Sequence, residues 1–422
     1  MFGSDARRLA VRLTAVASAA TATLLGFTGP ASAVPSAPSA GLAPATEARV
    51  IGAGVEGAIA GSYIVVLEPG AAAVTAVSRA LVREYGGTVV ADYLSTVRGF
   101  HAEMTASQAA RLAVDPAVHY VEQDAVVSAT AVKQNPVWSL DRIDQPSLPL
   151  SKSYTYRSAK NVTAYVIDTG IRTGHREFGG RASSGWDFVD DDRTANDCNG
   201  HGTHVAGTIG GATYGVAKDV KLVGVRVLGC DGSGSYADFI AGVDWVTAHA
   251  QLPAVANMSI GGPTSKALDD AVRRSIAKGV TYTIAAGNER MNACESSPGD
   301  TPEAITVGAV DNADKRASFS NYGSCLDLFA PGVNIRSASW KSATGTQMMS
   351  GTSMASPHVA GAAALLLGLH PAWTPKQVRD DLVRHAGAGL VRARAQGSPN
   401  RLLYTGYLNA STGGVAKAPA RR

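Results

Sequence analysis

The sequence predicts an α/β protein: a doubly wound parallel sheet with helices on both faces, preceded by a small ferredoxin-like α+β unit. Two patterns predict it. Beyond Ala131, the apolar, β-branched runs Val162–Ile167, Lys221–Val227, Val255–Ser259, Val280–Ala286 and Ile305–Val310 alternate with helix-like segments at Tyr236–His249 and Ala267–Lys278. Strands that read as nearly unbroken apolar runs are buried on both faces, as a parallel sheet requires. Upstream, residues 63–122 read β-α-β-β-α-β, the order of a split βαβ unit. At 422 residues and 45% hydrophobic content, the chain can bury a large core and carry more than one domain.

Taken in order, residues 1–33 read as a targeting segment. Arg7, Arg8 and Arg12 precede the apolar stretch Leu13–Phe27, and Ala31-Ser32-Ala33 suits a signal peptidase. The arginine pair leaves the export route open, but a secreted, extracellular destination is expected. Residues 34–58 form a linker, rich in Ala, Pro, Ser and Gly up to Val55. In the unit at 59–130, Tyr63–Leu67 is a strand and Val74, Val77, Leu81 and Tyr85 sit at helical spacing. Val89–Tyr93 and Gly99–Glu103 are the next strands. Thr105 with Gln108 makes a capping box for a helix that ends before Asp115-Pro116, and Val118–Glu122 is the last strand. After the alternating region, Thr374-Pro375-Lys376-Gln377 supplies a cap, an N1 proline and a capping-box Gln for a final helix. Residues 412–422 are a short basic tail.

The formal charge of +4 is small for this length and favours neither nucleic acid nor a membrane surface as a partner. The apolar stretch near the N-terminus is short for a membrane span, and no other stretch is long enough. Residues 34–130 carry five Lys/Arg against nine Asp/Glu, a net of −4, whereas 131–411 comes to about +3. Opposite signs suit association of the two parts, weakly at physiological salt. Export also sets the redox setting for Cys198, Cys230, Cys294 and Cys325. Four cysteines allow three pairings. A reactive thiol at Cys198 is disfavoured in an oxidising compartment.

Three segments carry the chemistry. Gly351-Thr352-Ser353-Met354-Ala355-Ser356-Pro357-His358 places a serine where small residues give way to a helix, whose unpaired amides point at the same spot. Val166-Ile167-Asp168-Thr169-Gly170 brings a carboxylate to a strand end, where open α/β sheets keep their sites. Asn199-Gly200-His201-Gly202-Thr203-His204 opens a helix of small residues with an imidazole. The chain order Asp168, His201, Ser353 is not that of the α/β-hydrolases, and Ala355 two positions after the serine breaks their nucleophile-elbow pattern. His201 and His204 lack the glutamate and third ligand of a zinc hydrolase.

Together these segments resemble the subtilisin-like serine proteases, most closely the proteinase K/aqualysin-like branch, from about Ala131 to Asn409. Residues 59–130 resemble the inhibitor I9-type propeptide of the same enzymes, with Tyr120-Val121-Glu122 near its end. A serine hydroxyl is a poor nucleophile at neutral pH and needs a base within hydrogen-bond reach. The resemblance gives that role to His201, with Asp168 fixing its tautomer. It makes Asn288, at the end of Thr283–Asn288, the side-chain donor to the oxyanion beside the Ser353 N–H. The other function class is a peptide-binding relative without catalysis, and the intact set Asp168, His201, Asn288 and Ser353 argues against it.

The resemblance implies more. Gly232, Ser233, Gly234, Ser259, Ile260 and Gly261 match segments that pair as edge strands with an extended peptide. Ala285, Ala286 and Gly287 would complete an S1 pocket with small, uncharged walls, hence broad cleavage of polypeptides after large apolar or aromatic residues. Matching positions pair Cys198 with Cys230 and Cys294 with Cys325. One to three structural Ca2+ sites are implied, by Asp141, Asp144 and Gln145 (near Ser151 and Ser153), by Asp187 and Asp192, and by Asp327 with the carbonyls of Pro302 and Ala304. A peptidase domain at 131–411 would act as a monomer. Residues 34–130 would serve it as folding helper and cleft inhibitor until self-cleavage at Thr130–Ala131.

Overall fold

The protein is described by a computed structural model over residues 50–54, 58–70, 72–95, 97–125 and 131–409. The targeting segment, most of the linker, Thr130 and the basic tail lie outside those residues.

In β1 (Ala58–Leu67), Tyr63, Val65 and Leu67 alternate into an apolar cluster. The helix α1 (Val74–Tyr85) covers that cluster with Val74 and Leu81. β2 (Thr88–Tyr93), β3 (Gly99–Glu103), α2 (Ala106–Leu112) and β4 (Val118–Ala125) complete the unit. Its sheet is antiparallel in the order β2-β3-β1-β4. Both halves of the expected capping box are formed: the Gln108 N–H donates to the Thr105 hydroxyl, and the Thr105 N–H to the Gln108 side chain.

A two-stranded ribbon follows, β5 (Ala131–Gln134) against β6 (Ser153–Tyr156), with α3 (Trp138–Ile143) between them in sequence. The main sheet has nine strands. They are β7 (Thr163–Asp168), β8 (Ala182–Asp187), β9 (Lys221–Arg226), β10 (Ala254–Met258), β11 (Val280–Ala285), β12 (Ile305–Val310), β13 (Leu328–Pro331), β16 (Gly387–Ala388) and β17 (Arg401–Leu402). Their order is β16-β17-β13-β12-β11-β10-β7-β9-β8, parallel except for the edge strand β16. The hairpin β14 (Ile335–Ala338) with β15 (Thr346–Met349) stands apart from it.

Period-two alternation sorts each strand between two cores. In β7, Ala164 and Val166 face one cluster while Tyr165 and Ile167 face the other. The first cluster is closed by α4 (His201–Gly210), α7 (Thr352–Leu369) and α8 (Pro375–His385). The second is closed by α5 (Tyr236–His249) and α6 (Lys266–Ala277). Contrary to the sequence reading, α7 is long and apolar enough to cross a membrane, but it is buried along its length in the first core. From β7 the chain turns to β8 and β9 on one side and later to β10–β13 on the other. A crevice opens at such a switch point, beyond the C-terminal strand ends.

Candidate active site

Asp168 ends β7 and is fully buried. Its Oδ1 accepts the Thr169 N–H at 2.7 Å and meets His201 Nδ1 at 2.7 Å. With Nδ1–H donated to the carboxylate, Nε2 is the free ring nitrogen. The approach needs a glycine after the histidine: a Cβ on Gly202 would lie 2.2 Å from the Gly170 carbonyl oxygen. Asp197, which the sequence reading missed, ties this junction together. Its carboxylate accepts from the Thr169 hydroxyl and the Gly200 N–H through Oδ1, and from the Thr203 N–H and hydroxyl through Oδ2. An aspartate shortly before a helix is a common capping signal, and that was the available clue. Burial pushes the His201 pKa down, but the charge and hydrogen bond of Asp168, helped by Asp197, outweigh it and leave it raised. The other buried histidines, His204 and His358, are pushed down by burial to about 4 and stay neutral.

Ser353 is the second residue of α7, so its N–H is one of the amides with no partner inside the helix. Pro357 stands four residues on and has no N–H to give the Ser353 carbonyl. The Ser259 hydroxyl donates to that carbonyl instead, at 2.9 Å. In return the Ser353 hydroxyl donates to the Ser259 carbonyl at 3.1 Å. Asn257 anchors the arrangement. Its amide N–H donates to the Ser259 hydroxyl, and its carbonyl oxygen accepts from Ser356 and Thr283.

Asn288 follows β11. Its side-chain oxygen accepts the N–H and hydroxyl of Thr352, at 2.9 and 3.1 Å, which caps the start of α7. The amide nitrogen of Asn288 is thereby left as a donor close to Ser353. His201, Asn288 and Ser353 line one cleft of about 1080 Å3. The same cleft is lined by Gly232, Ser233, Gly234, Ser259, Ile260, Gly261, Ala285, Ala286 and Gly287. Glu289 and Glu295 line the cleft too, together with Met291. Glu289 is held there by the Asn288 N–H at 2.7 Å and the Asn321 amide at 2.9 Å.

Disulfides join Cys198 to Cys230 and Cys294 to Cys325. The first ties the turn before His201 to the Gly232–Gly234 wall. Among the described residues, no cluster of three or more His, Cys, Asp or Glu side chains is placed to hold a metal. The three acidic sets differ in how well they suit calcium. Asp144, just after α3, has a buried Oδ1 without a hydrogen-bond partner. Burial raises its pKa to about 6, the Thr155 N–H opposing and the neighbouring Asp141 charge adding to it. Asp141 accepts the N–H groups of Ser151 and Lys152, and Gln145 the former as well. An acidic pair with a spare oxygen fits a hard cation. Asp187 does not: Oδ1 accepts the Val189 and Asp190 N–H groups and Oδ2 takes Arg226 at 2.5 Å. Asp192 caps the Thr194 N–H at 2.6 Å. Asp327 has an arginine, Arg379, on its carboxylate.

Residues 159–406 match the family model described as "Subtilase family", and residues 62–130 match "Peptidase inhibitor I9". The chain belongs to the subtilase family. It is 49% identical over 382 residues to an "Extracellular serine proteinase" of Thermus sp. (strain Rt41A), covering 86% of this chain and 93% of that one. It is 53% identical over 317 residues to an "Alkaline serine exoprotease A" of Vibrio alginolyticus, covering 74% of this chain and 59% of the relative. A crystal structure of "a cold adapted subtilisin-like serine proteinase" superposes with a TM-score of 0.63 at 53% identity, covering 64% of this chain and 99% of that one. This subtilase is accordingly a serine proteinase of α/β fold with an I9 propeptide.

Proposed function

We propose that the chain is a secreted endopeptidase in which Ser353 attacks the peptide carbonyl, His201 relays the proton and Asp168 holds the imidazole. The 2.7 Å contact between His201 and Asp168, in a cleft shared with Ser353, is the observation that carries this reading. Attack requires the Ser353 hydroxyl to turn from the Ser259 carbonyl towards His201 Nε2. His201 takes the hydroxyl proton as the Oγ–C bond forms, and the Asn288 amide and Ser353 N–H donate to the oxyanion. The same proton goes to the leaving amine as the C–N bond breaks, leaving an acyl-enzyme. Water then repeats the cycle through His201 and frees the acid.

Small walls at Ala285–Gly287 and Ser259–Gly261 favour large apolar or aromatic P1 residues. The domain limits follow the sequence reading: signal 1–33, propeptide 34–130, monomeric peptidase 131–411 and tail 412–422. The propeptide assists folding, occupies the cleft and is removed by self-cleavage near Thr130–Ala131. If bound, calcium would be held by Asp141, Asp144 and Gln145, where it would add structural stability. The test is Ser353→Ala: the full-length precursor accumulates and a peptide library is left uncut, whereas the unaltered enzyme cuts after aromatic and large aliphatic residues. Normal processing of the variant would refute the assignment of the nucleophile.

A further inference from the structure

We propose that Arg379 takes the place of calcium at Asp327, so that an internal ion pair, and no metal, ties α8 to the approach to β13, where the Thr306 N–H joins the same carboxylate to the start of β12. Asp327, Pro302 and Ala304 are the set for which the resemblance implies a strong calcium site. The carboxylate of Asp327 is nearly buried, and both of its oxygens are engaged. Oδ2 accepts the Thr306 N–H at 2.8 Å. Oδ1 accepts from Arg379 Nε at 2.9 Å and meets Nη2 at 2.6 Å.

Calcium binds through six to eight oxygens at about 2.3–2.6 Å. Neither oxygen is spare for such an ion, and the guanidinium already holds Oδ1. An arginine cannot lose its proton to make way for a second cation. Two positive centres on one carboxylate oxygen repel each other, so occupation by one excludes the other. The arginine is delivered by a well-anchored element. Thr374 and Gln377 close the capping box of α8, and Val378 and Leu382 pack into the first core on either side of Arg379. Asp380, the neighbouring acid, is engaged by Lys376.

The test counts calcium bound per molecule by equilibrium dialysis, using the full chain with Ser353→Ala to prevent digestion. Any ion at Asp141 and Asp144 contributes equally to every variant. Adding Asp327→Asn is expected to leave the count unchanged. Adding Arg379→Ala is expected to raise it by one ion, which the double variant Arg379→Ala, Asp327→Asn loses again. Loss of one ion on Asp327→Asn alone would overturn the proposal, as would an unchanged count in a folded Arg379→Ala variant. Should Arg379→Ala fail to fold, the Asp327→Asn comparison decides on its own.

Discussion

His201 sits between two opposing influences, and their balance sets a measurable pH. Burial favours the neutral ring, while Asp168 and Asp197 favour the charged one and prevail, so its pKa lies above 6.5. A general base works only when neutral, so activity falls as pH drops through that raised value. The acid limb of kcat/KM is therefore expected above 6.5, and Asp197→Asn, which removes one raising charge, is expected to move it down. A limb at or below 6.5 in the unaltered enzyme would contradict this. His204 and His358 titrate near 4 and will not be mistaken for it. At this scale the motifs were legible because each key residue stands at a strand end or helix start. Asp197 was not, since its role is to hold Thr169, Gly200 and Thr203 together, and two of those contacts are backbone.

At the scale of elements, α7 shows how a helix defect is put to use. Pro357 frees the Ser353 carbonyl, and Ser259 supplies the missing hydrogen bond from the end of β10. Ser259→Ala leaves a part-buried acceptor without its partner, a loss of about 1 kcal/mol. The melting temperature is expected to fall by a few degrees. Adding Pro357→Ala restores an N–H four residues after Ser353 and should recover much of the loss. Melting the single and double variants side by side checks this, and no recovery would mean that the hydroxyl acts in some other way. Element limits were read well where apolar runs are long, as in β7 and β12. They were missed in β8, whose sequence Ala182-Ser183-Ser184-Gly185-Trp186-Asp187 has no alternation of its own and is extended because it pairs with β9.

For the whole molecule, the unpartnered Asp144 oxygen beside Asp141 predicts a stability that depends on calcium. At a free concentration about 100 times Kd, one such ion stabilises by ~2.7 kcal/mol. Heat inactivation should then be faster in chelator than in calcium, and Asp144→Asn should remove most of the difference; equal half-lives for the unaltered enzyme would count against the site. The fold class was determined by the sequence itself, and so was the choice of Asp168, His201, Asn288 and Ser353 as the residues proposed for catalysis. Periodicity and chain order depend on local chemistry, and a strand end or helix start announces its side chain. Only the tertiary structure decided which carboxylates are free. Asp187 and Asp327 look like ligands in the sequence, but their partners Arg226 and Arg379 lie 39 and 52 residues away. It likewise brought Glu289 and Glu295 to the cleft. Charges meet across space, and no local pattern records which arginine will reach which acid.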